Sequence, residues 1–341
     1  MSRPYQSAAM VTMERFLKLR AVKRNQGREH KIRVSEDGHR CSLDQLIQTL
    51  TGKKTALLLQ DGAFFSGSTP LSLDASVSCG QEIVYRRRAW VEPAIPAEVQ
   101  IIHCDDSLLV VEKPAGVPMT PSGDFYCNSL VHRLREALNE KDLSPIHRLD
   151  IETSGVLIFS RKRSERGTLQ RQFQSGNIQK IYHALVFGHF DPRVKRLHGR
   201  FEKGQSRRIF SKWGAVSSGG KKCVTEVLSV QHGKVASLLH LKPLTGRTNQ
   251  LRAQLSDAGH PIVGDKKYHC DEEVYLDWIE HRNIQRLIHK LLLPTQALHA
   301  WSVTIQHPVT QDRCQFTSAM DLPDRFPGAA GIFPQFQRLD P

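Results

Sequence analysis

The sequence predicts an α+β fold with a small module ahead of a larger domain, and three observations carry that prediction. Short apolar runs of buried-strand length recur at Leu108–Val111, Val156–Phe159, Ile181–Phe187 and Val235–Leu241. The segments between them turn to helical spacing without the regular alternation of a βαβ protein. A Pro-punctuated stretch, WVEPAIPAE from Trp90 to Glu98, then divides the chain into residues 36–90 and a main domain over 98–317.

Residues 1–35 are basic, polar and poorly periodic, and are expected to form a flexible arm. Over 42–60, Leu43, Leu46, Ile47 and Leu50 recur at offsets of three and four, which predicts a helix. Short strand-like pieces follow, punctuated by Asp61-Gly62, Gly67 and Gly80, and end at Ile83-Val84-Tyr85. The main domain opens on Leu108–Val111, which stops at the turn Lys113-Pro114-Ala115-Gly116. The next run follows HRLDIETSG (147–155), the third is closed by Gly188, and the fourth ends at Pro243. TGRTNQLRAQLSDAGHP (245–261) then reads as a helix: Thr248 suits the N-cap, Leu251 and Leu255 share a face, and Gly259 before Pro261 ends it. Residues 274–293 carry a further amphipathic helical pattern, and the Pro/Gly-rich residues 318–341 are expected to be a loosely held tail.

A chain of 341 residues with 39% hydrophobic content can bury a sizeable core. Nothing in it approaches the eighteen or so consecutive apolar residues of a membrane span, and the N-terminus lacks the apolar core of a signal peptide. The seven cysteines are scattered, odd in number and never spaced as CxxC. That pattern predicts free thiols in the cytoplasm, and argues against a zinc ribbon or a disulfide framework. The net charge of +14 is concentrated: residues 161–222 hold sixteen Lys/Arg against three acids, residues 1–40 ten against four, and the remainder is mildly acidic. Two basic blocks on an otherwise balanced chain suit an anion-facing surface, although ordinary solubility would also account for them. Charge alone does not separate RNA from DNA or from an acidic membrane.

Three segments offer chemistry. HRLDIETSG feeds a core strand, a place where a rigid scaffold can hold a reactive group, here Asp150; it equally suits a turn in which Asp150 bonds nearby amides. On a strand at Lys180-Ile181-Tyr182, Tyr182 shares a face with the smaller Ala184 and Val186, leaving room beside its ring; an ordinary core tyrosine fits too. Arg247 stands at the start of the predicted helix, facing the positive end of its dipole, a conflict that an anion would remove and solvent would blunt. GxxxxGK, GxGxxG, HExxH and GxSxG are all missing, which argues against nucleotide hydrolysis, dinucleotide cofactors, a zinc site and a serine-hydrolase elbow. No cofactor and no metal are expected.

These segments together resemble the RluA-type family of RNA pseudouridine synthases. HRLDIETSG is similar to that family's HRLDxxTSG loop, KIYHALVFG to its KxYxAxVxG strand, and PLTGRTNQLRAQLSDAGHPIVGDKKY to its TGRTHQ(I/L)R…GHPIxGD…Y segment. VVEKPAG resembles the opening KPxG and ALHAWSVTIQHPVT the closing LHA…HP, so five blocks fall in order across about 105–310. Departures are Asn249 where histidine is usual, Thr120 where histidine often precedes proline, Thr295 where arginine commonly precedes LHA, and an insertion over 274–293. The resemblance implies a mixed, mainly antiparallel sheet with flanking helices and a central cleft. It implies Asp150 as catalytic residue, Tyr182 stacked on the target base, Arg247 paired with the carboxylate, and Arg148 filling the gap left by a flipped base. Lys180, Thr248 and Leu251 are the accompanying substrate-binding candidates. Residues 42–85 faintly resemble the small RNA-binding module that often precedes this domain.

The expected reaction detaches uracil from ribose carbon 1′, rotates it and rejoins it through carbon 5, consuming nothing. Breaking a glycosidic bond builds positive charge on the sugar, which a fixed carboxylate can stabilise or trap covalently. Tyr182 would hold the detached base and take the carbon-5 proton. The expected partner is RNA, ribosomal ahead of transfer; no membrane is implied, and nothing in the sequence demands more than a monomer. Two rivals stand: a catalytically silent RNA-binding or ribosome-assembly protein on the same fold, and a glycosidase needing a second acid, for which Glu152 is the nearby candidate.

Overall fold

The computed structural model describes residues 16–20, 24–34, 41–51, 55–176, 178–320 and 322–329. It divides into two compact units: Met1–Ala21, Ile95–Pro121 and Ser129–Pro341 form the first, Val22–Ala94 and Ser122–Asn128 the second. This differs from the predicted 36–90 and 98–317, because Ser122–Asn128 joins the smaller unit from within the later sequence. Buried Glu92 anchors that excursion by accepting the backbone N–H groups of Tyr126, Cys127 and Asn128 and the Asn25 amide.

The larger unit is built on a twelve-stranded sheet. Its main path runs Phe16–Lys18, Glu98–Cys104, Leu108–Lys113, Ser154–Ser160, Leu298–Gln306, Gln179–Phe187, Ala236–Pro243, Lys221–His232, Arg196–Lys203, Trp213–Val216. Every pairing is antiparallel except that of Ser154–Ser160 with Leu298–Gln306. The mixed, mainly antiparallel α+β sheet expected from the sequence is therefore present. Leu108 to Val111 and Val156 to Phe159 are fully buried, as continuous apolar runs covered on both faces must be. The helices Leu130–Leu138, Arg163–Ser175 and Gln250–Asp257 flank the sheet, and Glu273–His281 packs with residues 284–291.

The smaller unit holds a four-stranded sheet, Arg28–Arg33, Glu82–Arg87, Gly62–Ser66, Thr69–Leu71, with the helices Leu43–Thr51 and Thr55–Asp61. Leu43, Ile47, Phe64, Val77 and Ile83 form its core, so the periodicity read at Leu43 and Ile47 marks a buried face.

Four expectations change. The arm 1–35 contains two strands, Phe16–Lys18 and Arg28–Arg33; residues 1–15, 21–23 and 35 lie outside the described residues. Phe16–Lys18 ends the main sheet, and edge strands carry charge in place of clean alternation, which hides them from a periodicity reading. The tail 318–341 includes a helical turn, Leu322–Arg325, followed by buried Phe326 and Ala329; residues 321 and 330–341 lie outside the described ones. The helix expected over 274–293 is broken into Glu273–His281, Ile284–Arg286 and Ile288–Leu291. Arg282 takes a left-handed conformation (φ 52°), and the Asn283 side chain accepts from the Gln285 amide, competing with a helical backbone. The helix expected from Thr248 starts at Gln250, with left-handed Asn249 (φ 54°) at its N-cap.

Two glycines near the Asp150 loop and the Asp265 turn are among those that admit no side chain. Gly155 has φ 110° and a Cβ there would strike the Ala300 backbone; Gly264 has φ 79° and faces the Thr295 carbonyl. The first brings the HRLDIETSG loop hard against the parallel strand, the second the Asp265 turn against residue 295.

Glu112, 5% exposed in the strand Leu108–Lys113, gives a stability prediction. Burial pushes its carboxyl up to about 7, with Ser318 and Arg325 pulling the other way. The folded state therefore holds a proton that the unfolded chain releases near its ordinary value, and the destabilisation grows as pH rises between about 4.5 and 7. Glu112→Gln is expected to raise stability by about 2–3 kcal/mol at pH 8 and to change little at pH 4, read as Tm at the two pH values. Equal shifts at both would show that charge is not the cause.

Candidate active site

The three segments singled out in the sequence converge because their strands are near neighbours. HRLDIETSG enters Ser154–Ser160, Tyr182 lies within Gln179–Phe187, and residues 245–252 leave Ala236–Pro243. Together they line a cavity of about 250 Å³ that includes Arg148, Asp150, Lys180, Tyr182, Arg247, Thr248, Leu251 and Arg252. Its size suits a single base with part of its sugar, below the roughly 300–1,000 Å³ of drug-sized sites.

Asp150, with its side chain 22% exposed, is gripped by an arginine, but not the expected one. Arg252 Nη1 donates to Asp150 Oδ2 at 2.7 Å, while its Nε and Nη2 hold Asp265 at 2.6 and 2.9 Å. Asp265 is completely buried and also accepts the backbone N–H groups of Lys267 and Tyr268. It works against its own burial by keeping to the guanidinium, which lowers its pKa; that of Arg252 is raised, burial being outweighed by Asp265 and Asp150. The expected Arg247–Asp150 pair is thus corrected. Arg247 lies in the turn before the helix, where its backbone N–H donates to Gln250 Oε1 and its side chain is exposed at the cavity. Arg252, one turn into the helix, faces inward.

Asn249 completes the cradle. The amide orientation that satisfies all neighbours places Nδ2 3.0 Å from Asp150 Oδ2 and lets Oδ1 accept the Tyr268 hydroxyl at 3.2 Å. Its left-handed backbone is one that asparagine tolerates better than most residues.

Beneath the loop, Lys113 has no solvent exposure and donates its three protons to the carbonyls of Pro114, Ile151 and Thr153 at 2.9, 2.8 and 2.7 Å. Burial lowers its pKa to about 7, with Asp150 and Glu152 opposing. The ammonium group ties the turn at Pro114 to the loop just after Asp150. Glu152 faces away from the chemistry: it pairs with Lys266 at 2.6 Å and accepts the Gln296 amide, and it does not line the cavity.

Tyr182 packs between two apolar clusters with its hydroxyl without a hydrogen-bond partner among the described residues. Burial, then the charge of Asp150, raises its pKa above the ordinary phenol value. A phenol held that firmly suits stacking, and is a poor base. His147 is fixed neutral: burial and Lys180 lower its pKa to about 3, its Nε2 accepts the Ile158 amide, and its ring stacks on Phe173 at 4.7 Å. Lys180 has its pKa lowered by burial, Leu251 is buried, and Arg148 and Thr248 are exposed on the lining.

Sequence reasoning missed Arg252, Lys113, Asp265 and Asn249 as site residues. One signal pointed to Arg252: a cation among buried helix positions, Gln250, Leu251, Ala253, Gln254 and Leu255, needs a buried partner.

Residues 107–257 match the RNA pseudouridylate synthase family. The chain is 31% identical over 233 residues to the dual-specificity RNA pseudouridine synthase RluA of Haemophilus influenzae, covering 67% of this chain and 97% of that one. It is 31% identical over 298 residues to the ribosomal large subunit pseudouridine synthase D of Zymomonas mobilis, covering 82% and 89%. An uncharacterized RNA pseudouridine synthase of Synechocystis is 31% identical over 195 residues, and this chain spans about two thirds (66%) of its length and 56% of its own. Among solved structures, human RNA pseudouridylate synthase domain containing 1 superposes with a TM-score of 0.54 at 25% identity, covering 69% of this chain and 89% of that one. With the HRLDIETSG loop, the Tyr182 strand and the Arg252 helix meeting at one cavity, the chain belongs to the RluA-type family of RNA pseudouridine synthases.

Proposed function

We propose that this chain isomerises uridines of large-subunit ribosomal RNA, with Asp150 as the reacting carboxylate and Tyr182 as the surface on which the detached uracil rests. The observation that carries this reading is the Asp150–Arg252–Asp265 triad at a cavity large enough for one base. A carboxylate aimed by a charge-assisted bond is the group that an oxocarbenium-like sugar requires. The target nucleotide has to leave its stack to reach the cavity, at a cost of a few kcal/mol. Exposed Arg148, on the cavity rim, is placed to occupy the gap it leaves. Tyr182 holds the base by stacking; with Asp150 the one carboxylate on the lining and burial raising the pKa of the phenol, Asp150 is the acceptor of the carbon-5 proton in this reading.

Relatives named for the large ribosomal subunit support ribosomal over transfer RNA as target. The smaller unit contributes RNA contacts in this reading: its strands Arg28–Arg33 and Glu82–Arg87 carry five Arg/Lys, and Arg28 and Arg87 lie over the rings of Tyr126 and Trp90 at 3.3 and 3.7 Å. The chain works as a monomer in the cytoplasm without a cofactor. Among the described residues, no helix is long and apolar enough to cross a membrane. Glu152, locked on Lys266, removes the second acid that a glycosidase would need.

Mapping pseudouridines across ribosomal and transfer RNA in cells with and without this chain tests the target. Loss confined to large-subunit RNA is expected; loss confined to transfer RNA would replace the target, and no loss anywhere would favour the silent RNA-binding protein.

A further inference from the structure

The basic block 161–222 is less free than its composition suggests. Arg161 pairs with Glu140, Arg193 with Asp191, Arg196 with Glu226, Arg208 with Glu273 and Lys212 with Glu272. Phosphate contacts by these groups would require breaking existing pairs. Among the cations of the block without an ion-pair partner among the described residues, Lys203 and Arg207 lie on or at one loop, residues 204–212 between the strands Arg196–Lys203 and Trp213–Val216, and Lys221 Nζ lies 5.6 Å from the Trp213 ring at its exit.

At the head of this loop Phe210 is 76% exposed, more than any other large apolar side chain among the described residues. The neighbouring chain is not loose. Ile209 is buried, the Ser206 hydroxyl accepts its amide and donates to Glu272, and Lys267 Nζ donates to the Ser211 carbonyl at 2.7 Å. The loop's exit is tied to the catalytic cradle: the Trp213 amide donates to the Tyr268 hydroxyl at 3.1 Å, Tyr268 donates to Asn249, and Asn249 reaches Asp150. An aromatic ring held outside the core on an anchored loop, beside unpaired cations, is preorganised for a flat partner that carries negative charge. Single-stranded nucleic acid combines those two properties.

We infer that Phe210 is a stacking platform for an unpaired RNA base flanking the target nucleotide, with Arg207 and Lys203 on the adjacent phosphates, and that the Trp213–Tyr268–Asn249 hydrogen bonds set its position relative to Asp150. This rests on the reading that the chain acts on RNA, and specifies where the strand runs beyond the cavity. Because Phe210 is exposed, its replacement leaves folding intact.

The test uses the full chain with a fluorescein-labelled 12-mer oligouridylate, read by anisotropy over a salt series, and with a 5-iodouridine version irradiated for crosslink mapping. Phe210→Ala is expected to weaken binding about tenfold and Phe210→Trp to preserve it. Arg207→Gln should lower the slope of log affinity against log salt by about one, and the crosslink should fall on Phe210 in the wild type. Unchanged affinity in Phe210→Ala with the crosslink elsewhere would overturn the platform. So would a wild-type dimer in sedimentation that Phe210→Ala dissociates without loss of RNA affinity, since the ring would then serve a second copy. Asp150→Asn should bind the oligonucleotide as the wild type does. Thus a chain that binds in this way but leaves large-subunit RNA unmodified refutes the proposed target and spares the platform.

Discussion

Asp150→Asn abolishes pseudouridine formation while leaving RNA affinity within about twofold, the value expected for a residue whose work begins once the nucleotide is in place. The substitution keeps the shape of the side chain and its hydrogen bond from Arg252, so the cavity stays intact. What it removes is the negative oxygen facing the sugar. Enzymes supply at least about 10⁶-fold acceleration, and deleting the reacting group should cost about 10⁴-fold or more. Single-turnover assays on large-subunit ribosomal RNA measure the rate, and anisotropy measures the affinity. A variant that turns over within about tenfold of the wild type would remove Asp150 from the chemistry.

Arg252 is next in expected effect, and it separates the structure's arrangement from the one expected from the motif. Arg252→Lys keeps one charge but cannot span Asp150 and Asp265 together, because an ammonium group lacks the planar fork. A loss of about 10²–10³ in turnover is expected, the scale seen when one fixed electrostatic partner of a reacting group is displaced. Arg252→Met goes further: it leaves fully buried Asp265 without its counter-charge and should cost about 3–5 kcal/mol of stability. Asp265→Asn separates these effects, relieving the uncompensated charge while loosening the arginine. Arg247→Ala, by contrast, removes an exposed side chain and should raise KM for RNA with little change in turnover. Should Arg247→Ala stop the chemistry and Arg252→Lys spare it, the assignment is reversed and the motif-based pairing was correct.

Local patterns found the elements that carry the site. Leu108–Val111 and Val156–Phe159 are buried strands because continuous apolar runs have no other place in a folded chain, and Ala184–Val186 form the buried part of the third run. The loop before Ser154 and the turn after Pro243 were visible as polar interruptions between such runs. Patterning failed where a neighbour distant in sequence supplies the partner. The lysine of VVEKPAG reads as an ordinary polar residue beside a turn; its three carbonyl acceptors, spread over Pro114, Ile151 and Thr153, exist only once the strands have paired. The strand Phe16–Lys18 has no apolar alternation, since an edge position asks for none, and pairing with Glu98–Cys104 holds it in place.

The sequence by itself determined the fold class and the family through its five ordered motifs, because both depend on residue types at short, fixed spacing, and the motifs pointed to Asp150 and Tyr182, which line one cavity. Tertiary structure alone decided which arginine grips the carboxylate, that Glu152 is spent on Lys266, and which cations of the basic block stay free. Electrostatic pairing depends on distance in space, and residues 150, 252 and 265 acquire their distances only when the helix Gln250–Asp257, packed on the strands Arg196–Lys203, Trp213–Val216 and Lys221–His232, brings Arg252 to the loop that holds Asp150.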